Sequence, residues 1–396
     1  MEIRKITQEE CAASNRICAV AFYEREHNPS PPHLYVPSSH YAGFDDVWAA
    51  FDDHGKMFSR TKIIPYTVMF DGHECEMGGV AGVATLPEFR KSGAVREIMR
   101  AALHEMREKG QIFSYLYPFS HTFYRRFGYE ISYNKPSVEI PLPAFGKYPR
   151  VGSLTFFQKD DDLAPYSKIH RKFVSDKNLA IVKNDKRMSE FLNHDPVDAN
   201  QFTYLWCNDA GEAKSYLVFS PVQGGQKGVY VKDLAWVDSE GLFGIFGWLP
   251  VFFPRYSKLV WTVPDGIAYR SLVDEPHEIK MTSRCGGMNR IVDVLKVLSL
   301  LEPPEGEGNV TVSVEDKLLD ANTGIYQIEW SGGELHAKKV GGHCDMRVGV
   351  ETLAQLAVGY MTPTEAADIR RVEIISKVKL LNTLFHKKCL YTTEEF

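Results

Sequence analysis

Apolar residues recur at helical spacing most clearly at Val95, Ile98, Met99, Ala102, Leu103 and Met106, one stripe along a helix predicted over 89–109. Gly110 stops that helix, and a strand is predicted over 112–117. Upstream, 63–70 and 78–86 read as two strands joined at Asp71-Gly72, a dipeptide suited to a hairpin turn. The second strand, ending at Pro87, is small and apolar enough to be buried on both faces. Strand, helix and returning strand make a βαβ crossover, which sets two parallel strand ends beside a helix N-terminus. Nearer the start, 7–22 reads as a helix opened by a capping box of Thr7 and Glu10. The Pro- and His-rich stretch 24–39 reads as a loop beside a site.

The same order returns more faintly downstream. Strands are predicted over 215–219 and 229–236, a helical stretch over 240–253, and a return strand over 259–263 that ends at Pro264-Asp265. This is read as a second, diverged copy of the first domain. From Met288 the pattern changes: a helix over 291–301, strands over 310–314, 324–330 and 335–340, then helices over 351–358 and 363–369. The fold class is therefore α/β (α+β), with expected domains at 1–145, 146–284 and 285–396.

Composition narrows the function. A chain of 396 residues exceeds one ordinary core, and 44% hydrophobic with 24% charged residues is the balance of a globular protein. A net charge of −5 gives no electrostatic case for nucleic acid and mildly suits a cationic substrate. The seven cysteines are dispersed with no CxxC pair, which suits reduced thiols in a cytoplasmic protein. The opening Met1-Glu2-Ile3-Arg4-Lys5 has no signal-peptide apolar stretch, and no run approaches the roughly 18 apolar residues of a membrane helix. The most hydrophobic stretch, 242–253, is broken by Gly244, Gly247 and Pro250 and reads as core. His336, His343 and Cys344 do not make a zinc ligand set, so no metal is expected.

The segment with chemistry is Arg90-Lys91-Ser92-Gly93-Ala94-Val95, between a strand and the striped helix. Such a turn brings unpaired backbone N–H groups to a helix N-terminus, where an anion is favoured. Gly93 lets a diphosphate approach the backbone, and Arg90 and Lys91 add positive charge. A plainer reading stands beside it, in which Gly93 only permits the turn and the two cations are solvated. Neither GxGxxG nor GxxxxGK[ST] is present, which argues against a Rossmann dinucleotide site or a P-loop.

The wider stretch GVAGVATLPEFRKSGAVREIMRAALHEMREKG, followed by IFSYLYPFSHTFYRRFGYE, resembles the acetyl-CoA core of the GNAT acetyltransferases, in particular the Eis (enhanced intracellular survival) branch. The cofactor loop of that family, V-x-P-x-x-R-[RK]-x-G, is matched by Thr85-Leu86-Pro87-Glu88-Phe89-Arg90-Lys91-Ser92-Gly93. Its F/Y-x-R-F-G-Y run is matched by Tyr124-Arg125-Arg126-Phe127-Gly128-Tyr129. Many such loops carry Gly or Ala where this chain has Val95; a phosphate cradle made of backbone tolerates the change.

The resemblance implies tandem GNAT folds with mixed sheets and a C-terminal sterol-carrier-protein-like α+β domain. It implies acetyl-CoA as co-substrate, the strand Val83-Ala84-Thr85 pairing with the pantetheine arm, and Arg90, Lys91, Ser92, Gly93, Ala94 and Val95 holding the pyrophosphate beside Ser120. Tyr124 would be the general acid. The terminal carboxylate of Phe396, after Glu394 and Glu395, would be the base. It further implies a small-molecule or peptide amine acceptor (aminoglycoside, polyamine or lysine-like) and a homo-oligomer such as a hexamer. Phe22, Glu24 and Glu26 are candidate acceptor contacts, with core packing and plain surface charge as the competing explanations. The second copy has Asp238 and Glu240 where its phosphate loop would sit, so it is expected to bind no CoA. A rival of another class is a non-catalytic lipid- or acyl-CoA-binding protein whose last domain carries the function.

Overall fold

The Asp71-Gly72 turn joins two long strands in the computed structural model, which describes residues 1–22, 43–221, 227–253, 255–392 and 394. Both turn residues have positive φ, 45° and 79°, as a two-residue hairpin requires. Contacts group the chain into two units. One comprises Met1–Ser132 with Gly287–Lys388, the other Tyr133–Gly286 with Cys389–Glu394. Among the described residues no helix is long and apolar enough to cross a membrane.

The first unit opens with strands β1 (Glu2–Lys5), β2 (Val47–Phe51), β3 (Met57–Phe70), β4 (His73–Thr85), β5 (Phe113–Leu116) and β6 (Glu130–Ile131), and helices α1 (Cys11–Phe22), α2 (Ala94–Glu108) and α3 (His121–Arg125). The hairpin strands are longer than the sequence pattern showed, and β1 and β2 were not foreseen. Helix α2 starts later than predicted: Pro87–Phe89 is a separate 3-10 turn, and the chain becomes α-helical only after Gly93. The expected stripe forms, with Ile98, Met99, Ala102, Leu103 and Met106 buried and Val95 half-buried. Glu10 accepts from the Thr7 amide at 2.8 Å, but the first turn it closes is 3-10.

The sheet runs β1-β2-β3-β4-β5, then a strand from far down the chain (Met288–Ile291), then β6. Those four residues lie in or beside a stretch predicted to be helical. Instead they pair antiparallel with β5 and with β6, and only Val294–Ser299 is helix. Asn289 and Arg290 are fully buried there. Arg290 Nη2 donates to both oxygens of Asp316, at 2.8 and 2.6 Å, and Nη1 donates to the Phe127 carbonyl. Gly128, at φ 77°, leaves the room: a Cβ there would lie 2.0 Å from Arg290 Nη1.

The second unit contains β7 (Asn134–Pro141), β8 (Ser153–Phe156), β9 (Phe202–Cys207), β10 (Ala213–Pro221), β11 (Gly228–Trp236), β12 (Lys258–Thr262) and β13 (Lys280–Cys285), with α4 (Ala164–Val174), α5 (Asp185–Leu192) and α6 (Ser239–Trp248). Its order is β13-β7-β12-β11-β10-β9-β8. The antiparallel β10–β11 pair, helix α6 and the parallel return strand β12 repeat the plan of β3, β4, α2 and β5. The glycines of α6 allow close packing, since a Cβ on Gly244 would lie 2.2 Å from the Trp206 ring. The predicted helix to residue 253 ends at Trp248, and Leu249–Phe252 continues as a 3-10 turn around Pro250. Asp238 caps α6 by accepting from the Gly241 amide at 3.0 Å and pairs with Lys214 at 2.9 Å.

The rest of the first unit is β14 (Met288–Ile291, the inserted strand), α7 (Val294–Ser299), β15 (Gly308–Glu315), β16 (Gly324–Ser331), β17 (Glu334–Val340), β18 (Met346–Gly349), α8 (Val350–Val358), α9 (Pro363–Asp368), β19 (Val372–Ile374) and α10 (Val378–Leu384). Strands β17-β16-β15-β18-β19 form a five-stranded sheet, of which β18 and β19 were not predicted. Helix α8 is buried on all sides except at Glu351, which supports core packing for its apolar residues.

Candidate active site

Strands β4 and β5 pair in parallel only from Met77↔Phe113 to Val80↔Leu116. Beyond Val80, β4 continues to Thr85 against β3 alone, so its other edge is left without a strand partner. A register shift between Arg60 and Lys62 bends the pair at this point, and Gly82 takes φ 56°. Val83 and Thr85 are half-buried along the opened edge, while Ala84 is buried. The Ser59 hydroxyl fixes the end of the strand, bonding the Ala84 carbonyl at 3.1 Å and the Thr85 hydroxyl at 2.7 Å.

The chain then turns into α2. Phe89 stacks on Phe58 with ring centroids 4.4 Å apart, which pins the turn to the sheet. Lys91 at φ 69° and Gly93 at φ 87° are both left-handed. A Cβ on Gly93 would meet nothing within 4 Å. Among the described residues, the amides of Lys91, Gly93 and Val95 donate to no backbone acceptor, whereas Arg96 and Glu97 both reach the Gly93 carbonyl. The first amide of α2, Ala94, donates to the Ser92 hydroxyl at 3.4 Å. Unpaired amides at such a turn, with the helix dipole behind them, can cradle an anion. Arg90, Lys91, Ser92 and Gly93 are exposed, Ala94 is buried and Val95 half-buried.

Tyr124 lies on α3, whose first turn is held by Ser120 Oγ accepting from the Phe123 amide at 3.3 Å. Its ring is 3% exposed and packs edge-on against Phe119, Phe123 and Tyr129. Burial, with the nearby Tyr129 hydroxyl adding to it, pushes the Tyr124 phenol well above its ordinary value. Tyr129 is fully buried and pushed up to about 12 by that burial, against a hydrogen bond with Ser114. Tyr124 belongs to the same hydrophobic core as Val80, and Val83 packs against that core.

Phe22 ends α1 and is 48% exposed. Glu24, Glu26, Glu395 and Phe396 lie outside the described residues. The segment leading to Phe396 is seated in the second unit. The Asn178 amide donates to the Cys389 carbonyl at 2.8 Å, and the Tyr391 amide donates to the Asn178 carbonyl at 3.3 Å. Glu394 then reaches the buried Lys183 at 3.5 Å. Lys183 also pairs with Asp233 at 3.1 Å, and Tyr216 donates to Asp233 at 2.9 Å. His170 contacts Tyr216 at 3.1 Å and the Ile181 carbonyl at 2.9 Å.

None of this cluster was foreseen, nor was Arg60, a buried cation on β3. In sequence it stands in the polar run Ser59-Arg60-Thr61-Lys62, where nothing marks it as buried. A cavity of about 420 Å³ lies along the other face of α2, lined by Arg96, Arg100, His104 and Lys317 with Asp320. It includes none of the predicted site residues.

Two domain families are found in the chain. Residues 2–132 match the acetyltransferase (GNAT) domain, and residues 293–391 match the sterol carrier protein domain. With the opened strand and the cradle, the first match defines an enzyme of the acyl-CoA N-acyltransferase class. The chain carries a GNAT acetyltransferase domain and has an Eis-like architecture. Its fold is shared with a GCN5-related N-acetyltransferase from Anabaena variabilis (TM-score 0.87, 19% identity, 100% of each chain covered). It is shared also with one from Kribbella flavida (TM-score 0.82, 18% identity, 100% of this chain and 98% of the other). Eis1 from Mycobacterium abscessus gives a TM-score of 0.81 at 16% identity over 100% of both chains. No curated protein matches the sequence.

Proposed function

We propose that the chain transfers an acetyl group from acetyl-CoA to a primary amine by direct attack. The observation that carries this reading is the free edge of β4 from Ala81 to Thr85 beside the left-handed turn at Lys91–Gly93. The pantetheine arm would add as a strand along Val83-Ala84-Thr85, and the pyrophosphate would lie in the Arg90–Val95 turn on the unpaired amides of Lys91, Gly93 and Val95, with Ser120 nearby. An amide of β4 would polarise the thioester carbonyl; such a donor is worth about 3–4 kcal/mol when it meets the oxyanion.

The amine lone pair attacks the carbonyl carbon, the C–S bond breaks, and the CoA thiolate leaves with a proton from Tyr124. Because burial holds that phenol well above its ordinary value, Tyr124 enters as a neutral donor. A CoA thiolate of pKa about 8.5 is the weaker base, so the hydroxyl serves first as a hydrogen-bond donor to the charge growing on sulfur. The Phe396 carboxylate takes the proton from the amine. Aminoglycosides, polyamines and lysine side chains are the acceptor classes, with Phe22, Glu24, Glu26 and Glu395 as contacts. The same reading includes the division at 145 and 284, a cytoplasmic homo-oligomer with the hexamer as its implied form, and no nucleic-acid or membrane partner.

The test is release of CoA thiol from acetyl-CoA with a panel of amines, repeated on a chain with one glycine added after Phe396. Turnover that collapses in the extended chain while CoA binding persists supports the carboxylate as base. Unchanged turnover there removes Phe396 from the mechanism. Failure with every amine, together with tight lipid binding, would favour the non-catalytic rival.

A further inference from the structure

Arg60 is an arginine 3% exposed on β3, at the point where the register with β4 shifts. Its Nη1 donates to the Cys18 thiol at 3.0 Å. Its Nε is buried and has no partner, and no carboxylate among the described residues reaches it. A sulfhydryl does not neutralise a guanidinium. Burial pushes the Cys18 thiol up, against the pull of the Arg60 and Lys62 charges, so Cys18 stays uncharged at neutral pH. Lys62, two residues along the same strand, adds positive charge and is lowered by burial and by Arg60. Among the described residues, Arg60 thus has no carboxylate paired with it.

The unused part of the guanidinium has a definite shape. Nη1 is engaged, so the edge formed by Nε and Nη2 is left, and that edge fits the two oxygens of a carboxylate side-on. Its position is also defined, because a Cβ on Gly82 would lie 3.4 Å from Nη2. Gly82 precedes Val83 at the start of the free stretch of β4. Phe22, on the same helix as Cys18, lies one turn further along it.

We propose that Arg60 is a carboxylate-binding residue of the acceptor site, and that the enzyme prefers an amine that also carries a carboxylate. This rests on the acetyl-transfer reading above and narrows its acceptor class away from purely cationic polyamines. The same chemistry has a second source, the carboxylate that ends the chain, and the experiment separates the two.

L-lysine and cadaverine differ by one carboxylate and make the probe pair. Rates of CoA release are measured with each for the wild type, Arg60→Met, which keeps the bulk, and Arg60→Lys, which keeps charge but not the fork. Isothermal titration with both amines in the presence of CoA runs alongside, and circular dichroism monitors folding. The expected result is a lysine preference in kcat/KM of about tenfold or more, lost in Arg60→Met and not restored by Arg60→Lys, with CoA affinity constant.

No preference in the wild type, together with a fall in kcat for both amines in Arg60→Met, assigns the bound carboxylate to the chain terminus and overturns the acceptor preference. Equal handling of both amines with full activity in folded Arg60→Met overturns it. If neither amine is acetylated, lysine binding that vanishes in Arg60→Met keeps the site and sinks the catalytic reading. Equal calorimetric binding of lysine to wild type and variant sinks the site.

Discussion

Replacing Gly93 by alanine tests the cradle without touching a side chain. An added Cβ meets nothing within 4 Å, so steric overlap contributes nothing. What remains is φ 87°, a conformation that costs an L residue about 1–2 kcal/mol. The chain can respond in two ways. If the turn keeps its shape, the cost falls on folding, and a unit of this size loses about 2–8 °C in Tm. If the turn escapes by rotating the peptide, the Gly93 amide leaves the anion and the strain is exchanged for affinity, about tenfold in Kd for each 1.4 kcal/mol. Calorimetric titration with CoA and a thermal melt of the same sample read both. We expect CoA binding to weaken about tenfold, with a small change in Tm. A lowered Tm with CoA affinity within about twofold of wild type would refute the cradle and leave Gly93 as a turn residue only.

Tyr124→Phe should lower kcat by about 100-fold or more while the Kd for CoA holds, because only the donated proton is lost. Glu394→Gln should speed amide hydrogen exchange at Tyr391 and Thr392 by about tenfold, since it removes the charge that meets Lys183; exchange at the wild-type rate would show that the pair does not hold this segment. Arg290→Met leaves Asp316 charged and buried and should cost the first unit about 3–5 kcal/mol by urea titration. Burial alone would raise the Asp316 carboxyl, but Arg290 and the hydrogen bonds from Asn322 and Leu318 outweigh it and hold it below the usual range. Its stabilisation is thus present at neutral pH and is lost as pH falls below about 4 through the folded-state value. His170 is lowered to about 3, first by burial and then by the Lys183 charge. The second unit should therefore lose about 1.4 kcal/mol per pH unit as pH falls from about 6.5 toward 3, and His170→Asn should flatten that slope in acid melts.

Local signals found what local physics decides. The α2 stripe, the Asp71-Gly72 hairpin and the cofactor loop each occupy one stretch of chain, and their residue types match their conformations. The β1 strand is short and charged, and β2 is a continuous apolar run next to polar sequence, so neither shows alternation. The Met288–Ile291 strand was hidden for a different reason. Its Asn289 and Arg290 look like surface residues, and they are buried only because distant strands and Asp316 pair with them. Lys183, Asp233 and Arg60 were missed in the same way, since a buried charge is indistinguishable in sequence from a solvated one until its partner, or its lack of one, is seen.

The Met288–Ile291 strand also sets an order of events during synthesis. It lies between β5 and β6 in the sheet, yet it emerges from the ribosome after the whole of Tyr133–Gly286 has been made. At about 5–20 residues per second, the first unit waits roughly 8–30 s with a gap in its sheet and the edge of β5 open. The second unit has most of its sequence in hand during that interval and can fold first. A nascent chain stopped before residue 288 should therefore engage holdase chaperones, and an N-terminal fragment that ends at Ser132 should aggregate rather than behave as a small acetyltransferase.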